Sequence, residues 1–282
     1  MDSENKTRKV AIVTGASSGI GKAIVTAFLD AGYSVYGGAR RVEMMSDIEK
    51  KGAKIQSLDL TLQTSIEKFI SSILDTEDRI DVLVNNAGYG SYGAVEDVPM
   101  EEARRQFEVN LFGLAAMTNS VLPTMRMQRH GKIVHIGSIG GKLWSILGGW
   151  YQASKFALEG LADCTRNELR PFGIDVILIE PGAIKSEWNE IAVKNLKSMS
   201  ENGPYQAIAN SAVTTYEDAK DMEVEPNLVA NVIISAVTTA RPNARYVVPT
   251  VGKIMLFLRW LLSDRMFDAL WCRFMKVPKI IE

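Results

Sequence analysis

Residues 10–23 read VAIVTGASSGIGKA, a short β-branched run that meets three glycines and then a helical pattern. Gly15 allows a tight turn, Gly19 lets the backbone approach a ligand, and Gly21 lets the helix pack close to the strand. A helix that starts here offers free N–H groups and a partial positive charge to phosphate. The predicted phosphate-binding residues are Gly15, Ser17, Ser18, Gly19, Ile20 and Gly21.

The glycine spacing is a variant of the dinucleotide fingerprint. It is Gly-x3-Gly-x-Gly rather than Gly-x-Gly-x-x-Gly, and it lacks the Gly-Lys-Ser/Thr that ends a P-loop. A plain Gly/Ser turn is the alternative. The position of the glycines between a strand and a helix, inside a βαβ unit, favours binding of a dinucleotide pyrophosphate.

Strand and helix patterns alternate over the first 180 residues and return after residue 225. Such alternation is typical of βαβ units, and therefore of a parallel sheet covered on both faces. The predicted strands are 10–14, 34–36, 54–58, 82–85, 133–136, 175–179 and 245–248. The predicted helices are 19–31, 42–51, 62–76, 100–128, 150–170 and 227–239. We therefore expect an α/β fold, a doubly wound parallel sheet in three layers, as a single domain.

Composition excludes several classes of protein. The 32 Lys and Arg residues balance 33 Asp and Glu to a net charge of -1, without the basic excess of a nucleic-acid-binding protein. Two Cys and two His argue against a metal site or a disulfide framework, so Cys164 and Cys272 are predicted to be buried thiols in a reducing, cytoplasmic compartment. Residues Met1 to Lys9 are polar and lack the apolar core of a signal peptide.

The C-terminal residues 251–282 are predicted to form an amphipathic helical tail. Its most apolar stretch, Ile254 to Leu262, is interrupted by Arg259 and is shorter than the roughly 20 residues that a membrane span needs. No stable membrane span is therefore predicted. Three roles stay open for the tail: packing on residues 187–224, contact with a second subunit, or contact with a membrane surface.

The end of the second predicted strand carries two arginines, Arg40 and Arg41, and has no carboxylate before Glu43. NAD-binding sites usually place an Asp or Glu here for the ribose hydroxyls, whereas guanidinium groups pair well with a 2′-phosphate. The pattern favours NADP(H) over NAD(H). The alternative is that both arginines are ordinary surface residues.

Tyr151 and Lys155 are four residues apart at the start of a helical pattern, so their side chains share one face about 6 Å apart. A nearby ammonium favours the phenolate, and lowering the pKa of a tyrosine by about three units takes about 4 kcal/mol. A Tyr and a Lys at this spacing on a helix also occur often by chance, so the pair predicts a proton donor and acceptor only together with the polar residues described next. His130 and His135 are far from this pair in sequence, and we expect surface exposure or strand packing for them.

Further polar residues lie where such a site needs them. Ser138 follows the fifth strand, whose carboxyl end lies at the ligand-binding edge of an α/β sheet. Asn85 to Gly88 lie at the carboxyl end of the fourth strand, and Pro181-Gly182 lie at that of the sixth. Asn110 lies within a helical pattern, where asparagine has a poor propensity.

Together, these motifs resemble the classical short-chain dehydrogenase/reductase family over residues 8 to about 250. The resemblance rests on Thr14 to Gly21, Asn85 to Gly88, Asn110, Ser138, Tyr151, Lys155 and Pro181-Gly182. The runs at 36–41 and 85–90 are also similar to a bacterial-type branch close to retinol and 17β-hydroxysteroid dehydrogenases. The resemblance implies a Rossmann-type fold and interconversion of an alcohol and a ketone or aldehyde by hydride transfer.

The resemblance also implies roles by position. Tyr151 is expected to be the acid/base, and Ser138 to hydrogen-bond the substrate oxygen. Lys155 is expected to bind the nicotinamide ribose and to lower the pKa of Tyr151, while Asn110 holds a water that relays protons to Lys155. The other expected cofactor contacts are Asp59, Leu60, Asn86, Ala87, Gly88, Pro181, Gly182, Ile184 and Ser186, the last standing where the family usually has Thr.

Residues 187–224 correspond to the family's substrate lid and are expected to belong to the cofactor-binding domain, 1–250. The apolar candidates for the substrate wall are Leu143, Trp144, Leu147, Trp188 and Tyr205. They indicate a lipophilic small-molecule substrate, with plain packing of the lid as the alternative. A homodimer or homotetramer, formed by the helices near 100–128 and 150–170, is implied by the resemblance.

Two other functions stay open. One is a cofactor-binding regulatory protein that does not turn over, against which the presence of Ser138, Tyr151 and Lys155 argues. The other is an enoyl reductase, whose members usually space their Tyr and Lys differently.

Overall fold

A seven-stranded parallel sheet forms the centre of the computed structural model, which describes residues 8–200 and 202–278. The strands are β1 (Val10–Thr14), β2 (Ser34–Ala39), β3 (Lys54–Ser57), β4 (Val82–Asn85), β5 (Gly131–Ile136), β6 (Ile174–Pro181) and β7 (Arg245–Val248). Their order is β3-β2-β1-β4-β5-β6-β7, and all six neighbouring pairs are parallel. The predicted doubly wound, single-domain α/β fold is confirmed.

Helices cover both faces of the sheet. They are α1 (Gly19–Asp30), α2 (Ser46–Lys50), α3 (Gln63–Leu74), α4 (Met100–Phe107), α5 (Leu114–Gln128), α6 (Gly149–Leu169), α7 (Glu187–Ser200), α8 (Gln206–Asp218), α9 (Pro226–Thr238), α10 (Gly252–Leu261) and α11 (Asp264–Phe274). Ala11 and Val13 of β1 belong to a core cluster with α1 and α9, while Val10 and Ile12 belong to one with α3, α5 and α6. Successive strand residues point to opposite faces, so both cores require a continuous apolar run.

The long helical pattern predicted over 100–128 is interrupted in the structure. Between α4 and α5 the backbone forms a π-helical turn at Glu108–Gly113, and the side chain of Asn110 is fully buried there. The pattern predicted over 42–51 is a 3₁₀ turn, Val42–Met45, followed by the short α2. β2 continues three residues beyond the predicted 34–36. The prediction stopped short because this end of the strand contains glycines, which are depleted in strands.

The segment 187–224, which we call the lid segment, contains α7 and α8. Its base is joined by a parallel bridge between Ile184 and Val224. Apolar residues of the two helices, such as Leu196 and Val213, pack over Tyr92 and Tyr151 in a third buried cluster. The lid segment is therefore seated directly on the part of the molecule that carries Tyr151.

Several sequence expectations concern what the chain lacks. No helix within the described ranges is both long enough and apolar enough to cross a membrane. The same residues hold no group of three or more His, Cys, Asp or Glu side chains placed to bind a metal ion. Both cysteines are free thiols, but the prediction that both are buried is wrong, since Cys164 is exposed on α6 and Cys272 is only partly buried. The side chain of Trp188 lies outside the described residues.

Candidate active site

A cavity of about 700 Å³ lies at the carboxyl ends of the strands. Because parallel strands all end at one edge, residues far apart in sequence meet there. The sequence-predicted residues that line the cavity are Gly15, Ser17, Ser18, Gly19, Ile20, Gly21, Arg40, Arg41, Asp59, Leu60, Asn86, Ala87, Gly88, Ser138, Tyr151, Lys155, Pro181, Gly182, Ile184 and Ser186. Of the predicted site residues, Asn110 is the exception, since it lies behind the wall.

The glycine loop between β1 and α1 is too crowded for side chains. A Cβ on Gly21 would lie 2.1 Å from the carbonyl oxygen of Gly15, and one on Gly15, where φ is +68°, would lie 2.8 Å from Cα of Ala87. Ser18 precedes α1 with an extended backbone and makes no side-chain cap, and the first turn carries no acidic residue. Exposed helix N–H groups beside a bare backbone fit the pyrophosphate of a dinucleotide.

Four hydrogen bonds hold this loop to the end of β4. The buried hydroxyl of Thr14 accepts hydrogen bonds from the backbone N–H groups of Asn86 and Ala87, both at 3.0 Å. In return, Nδ2 of Asn86 donates to the carbonyl oxygens of Thr14 (3.0 Å) and Gly15 (3.2 Å). The side chain of Asn86 therefore fixes the loop, a role that sequence analysis did not assign to it.

The two arginines after β2 have different surroundings. Arg41 reaches the carboxylate of Glu187 on the lid segment, at 3.8 Å, with both side chains about half exposed. Arg40 lies near Asp59, whose Oδ1 accepts from the N–H and hydroxyl of Thr61. Burial tends to raise the pKa of Asp59, but these hydrogen bonds and the nearby guanidinium groups outweigh it and lower the pKa. Asp59 is therefore a carboxylate at neutral pH.

Tyr151 and Lys155 project from the first turns of α6 into the cavity, and each is less than 10% exposed. The Lys155 ammonium lies 5.9 Å from the centre of the Tyr151 ring and donates to the carbonyl oxygen of Ile136 at 2.8 Å. The Ser138 hydroxyl accepts from the N–H of Gly140 at 3.0 Å and is hydrogen-bonded to the Tyr151 phenol. The structure thus brings the three predicted catalytic groups together.

Burial is the main influence on the ionisation of this pair. It raises the pKa of Tyr151 to about 12, although the hydrogen bond with Ser138 acts in the opposite direction. It lowers the pKa of Lys155 to about 8. At neutral pH the phenol therefore carries its proton and can donate it. The expected lowering of the Tyr151 pKa by Lys155 stays a prediction.

The side chain of Asn110 forms hydrogen bonds that connect the elements around the cavity. Its Nδ2 donates to the Tyr89 carbonyl (2.9 Å) and to the Ser154 hydroxyl (3.1 Å), while its Oδ1 accepts from the Tyr89 N–H (3.1 Å). Ser154 in turn donates to the backbone carbonyl of Tyr151 at 2.7 Å. Through Ser154, which the sequence analysis missed, the π-helical turn is tied to the helix that carries Tyr151 and Lys155. The expected water relay through Asn110 stays a prediction.

The strand packing expected for His135 is confirmed, and it places this histidine next to the site. This residue is fully buried on β5, one residue before the carbonyl that accepts from Lys155. The Thr118 hydroxyl donates its proton to the carbonyl oxygen of Leu114, so it accepts a hydrogen bond from Nδ2 of Asn85. Because Nδ2 is thereby identified as the donor, the same nitrogen also donates to Nδ1 of His135, at 3.1 Å. Distance along the chain is no guide here, because strand ends converge.

His135 should give the protein an acid-sensitive stability. Burial, aided by the charge of Lys155, lowers its pKa to about 3. The unfolded chain then binds a proton near pH 6.5 while the folded protein does not, so the free energy of unfolding falls as the pH drops from about 6.5 toward 3. The expected slope is about 1.4 kcal/mol per pH unit.

Urea unfolding at pH 7.5 and pH 5 should reveal this slope as a difference between variants. His135→Gln should lose part of the pH dependence of the wild type, whereas His130→Gln, whose side chain is 47% exposed, should keep it. Equal pH dependence in the wild type and His135→Gln would contradict the assignment.

Beyond the catalytic and cofactor residues, the cavity wall combines aromatic, aliphatic and polar side chains. Trp144 and Leu143 line it as expected, but Leu147 and Tyr205 belong instead to the buried cluster between the lid segment and the body of the protein. Residues that sequence analysis missed also line it, among them Tyr92, Ser145, Gln152, Ile191, Tyr216 and Trp271. Gln152 follows Tyr151 on α6, whereas the others named come from loops, the lid segment and α11, and no local signal in the sequence relates those to Tyr151.

Comparison with known proteins gives concordant results. The family model described as short chain dehydrogenase matches residues 9–197. The NADPH-dependent 3-dehydrocapnine reductase of Ornithobacterium rhinotracheale is 33% identical over 95% of this chain and 98% of its own length. A solved short-chain dehydrogenase from Streptomyces avermitilis is 32% identical, with a TM-score of 0.80 over 99% of this chain and 100% of that one. A metagenomic short-chain oxidoreductase in complex with NADP is 28% identical, with a TM-score of 0.68 over 85% and 96%.

The matched residues include the glycine loop, Ser138, Tyr151 and Lys155, which the fold brings into one cavity. On sequence, fold and site together, the chain belongs to the short-chain dehydrogenase/reductase family of oxidoreductases.

Proposed function

We propose that the protein is an NADP(H)-dependent oxidoreductase that interconverts an alcohol and a ketone or aldehyde. The observation that carries the proposal is the placement of Ser138, Tyr151 and Lys155 in the same cavity as the glycine loop. A phenol and a hydroxyl that are hydrogen-bonded to each other can both contact one substrate oxygen. That is the arrangement needed to polarise a carbonyl and to protonate it.

The nicotinamide cofactor, when bound, supplies or accepts the hydride. During reduction, the Ser138 hydroxyl donates a hydrogen bond to the carbonyl oxygen, and Tyr151 transfers its proton to the same oxygen as negative charge develops there. A pKa of about 12 keeps that proton available throughout the neutral range. In the oxidative direction Tyr151 accepts the proton. The Lys155 ammonium, held by the carbonyl of Ile136, stabilises the phenolate that forms.

The preference for NADP(H) is proposed from Arg40. Its side chain lines the cavity beside the end of β2, where a 2′-phosphate is expected, and the NADPH dependence in the name of the Ornithobacterium rhinotracheale relative supports this preference. Arg41 already forms an ion pair with Glu187 and is expected to contribute less to binding of the 2′-phosphate.

Arg40→Ala should weaken NADPH binding by about 10- to 100-fold, because a charge-assisted pair of about 1.5–3 kcal/mol is removed. NADH binding should change less than two-fold. Cofactor titrations followed by fluorescence measure both constants, with Arg126→Ala on the exposed surface of α5 as the matched control. Equal losses for the two cofactors would remove Arg40 from the phosphate site.

The substrate is proposed to be lipophilic, because Leu143, Trp144, Ile191, Tyr216 and Trp271 surround the cavity beyond the catalytic groups. A panel of ketones, aldehydes, steroids, retinoids and long-chain 3-oxo compounds, with NADPH consumption as the readout, tests the proposal. An enoyl thioester belongs in the panel, since its exclusive reduction would favour the enoyl reductase alternative. Tight NADPH binding without turnover of any compound would favour the regulatory alternative.

A further inference from the structure

The C-terminal helices leave large apolar side chains in solvent. Of the twenty large apolar side chains that are exposed in the described part of the chain, eight lie within residues 251–274. The tail face, as we call the main part of this surface, consists of Ile254, Phe257, Trp260 and Leu261 on α10 and Met266, Leu270 and Phe274 on α11. Their exposed fractions range from 42% to 78%. Spacings of three and four residues align them along one side of each helix.

The other side of α11 is firmly attached to the body of the protein. Phe267 is fully buried, and Trp271 stacks on it with ring centres 5.7 Å apart. Both belong to a buried cluster with Leu143 of the cavity wall. The helices therefore already have their core contacts, and folding does not require the tail face. Exposed apolar surface of this extent marks an interaction site.

The charge of the tail differs from that of the remaining chain. Residues 251–282 contain six basic and three acidic residues, a net charge of +3, whereas residues 1–250 carry -4. Asp264 pairs with Arg259, and Asp268 accepts from the indole of Trp144. Within residues 8–200 and 202–278, no carboxylate lies within salt-bridge distance of Lys253, Arg265 or Arg273. The apolar stripes are therefore flanked by positive charge.

These features favour an anionic lipid surface over a second copy of the chain. Two copies paired through the tail face would bring the like charges of both tails together, whereas an anionic bilayer attracts them. An amphipathic helix that lies in a bilayer interface combines an apolar face, an exposed Trp and flanking basic residues. Trp260, which is 78% exposed and pairs with the ring of Phe257, fits that description.

The tail face is also connected to the cavity. Phe274, half exposed in the tail face, stacks on Trp271 at 5.2 Å, and Trp271 lines the cavity and donates its indole N–H to the carbonyl of Trp144 at 2.6 Å. We propose that the tail face docks the enzyme on the surface of an anionic bilayer, without crossing it, and so places the Trp144–Trp271 wall of the cavity next to the lipid. The docking stands by itself, while delivery of a lipophilic substrate rests on the proposed function.

Vesicle flotation of the full-length protein tests the docking. Wild type should float with phosphatidylcholine vesicles that contain one quarter phosphatidylglycerol, and less with pure phosphatidylcholine or in high salt. Phe257→Ser/Trp260→Ser should bind the anionic vesicles at least ten-fold more weakly. Arg265→Gln/Arg273→Gln should lose most of the preference for anionic vesicles. Met127→Ser, which removes a side chain on α5 that is as exposed as Trp260, should bind vesicles like the wild type.

Other results would overturn the proposal. One is a dimer that Phe257→Ser/Trp260→Ser dissolves, measured by sedimentation without lipid, because a second copy then covers the tail face. Another is vesicle binding that is absent in the wild type or unchanged in both double variants. All variants should show the circular dichroism spectrum and the cooperative urea unfolding of the wild type, which shows that they are folded. Because flotation requires no turnover, a failure of the proposed function would leave this result intact.

Discussion

Tyr151→Phe should reduce turnover by about 10²- to 10⁴-fold in both directions, because it removes the proton donor and acceptor but little else. The ring packs 5.7 Å from the ring of Tyr92 beneath the lid segment, and phenylalanine keeps that contact. The cavity should therefore keep its shape, and NADPH affinity should stay within about two-fold of the wild type. Steady-state rates with the best substrate of the panel, together with a cofactor titration, measure both quantities.

Tyr246→Phe is a matched control for this experiment. Tyr246 lies on β7 and does not line the cavity. The substitution also removes one phenol hydroxyl, which accepts a hydrogen bond from the backbone N–H of Asn243 at 3.0 Å. Its activity should equal that of the wild type. Full activity of Tyr151→Phe would disprove the mechanism, and loss of NADPH binding in the same variant would show a structural role for the phenol instead.

Gly21→Ala should abolish high-affinity cofactor binding, with a loss of at least 100-fold. The added Cβ would lie 2.1 Å from the Gly15 carbonyl oxygen and 2.8 Å from Nδ2 of Asn86. The loop and the Asn86 side chain that holds it must therefore move. Backbone contacts of this kind cannot be relieved by a side-chain rotation. Overpacking should also destabilise the fold by about 1–3 kcal/mol. Cofactor titration and urea unfolding measure the two effects separately.

Gly160→Ala provides the comparison within a helix of the same domain. Apart from the chain neighbours and the surrounding helix backbone, no atom of the described residues lies within 4 Å of the Cβ that this substitution adds in the middle of α6. Because alanine has the better helix propensity, stability should rise by up to about 1 kcal/mol, with no change in NADPH binding. Unaltered NADPH binding in Gly21→Ala would mean that the crowded loop is not the phosphate site.

The proton chemistry and the fold are linked through buried polar groups. The Asn110–Ser154 pair ties the π-helical turn to α6, and the Asn85–His135 pair joins β4 to β5 below Lys155. Neither pair needs to contact substrate to matter, since each holds an element that carries a reacting group. Rigid support of this kind keeps Ser138, Tyr151 and Lys155 in register.

Sequence patterns predicted the elements with strong local signals. A run such as residues 10–13, apolar at every position, requires cores on both faces, and the structure supplies them. Local rules failed where a residue serves the tertiary structure. The glycines of β2 concealed its last three residues, and Asn110 marked a helical irregularity without revealing that it is a π-helical turn.

By itself, the sequence determined the α/β architecture, the glycine loop and the identity of the residues at the strand ends, because these follow from periodicity and from short motifs. Only the tertiary structure decided that His135 lies beside the site and that Trp271 of the tail walls the cavity. It also decided how deeply Tyr151 is buried, and this burial raises the pKa of its phenol. Burial and contacts between distant segments arise when the chain packs, and no local pattern encodes them.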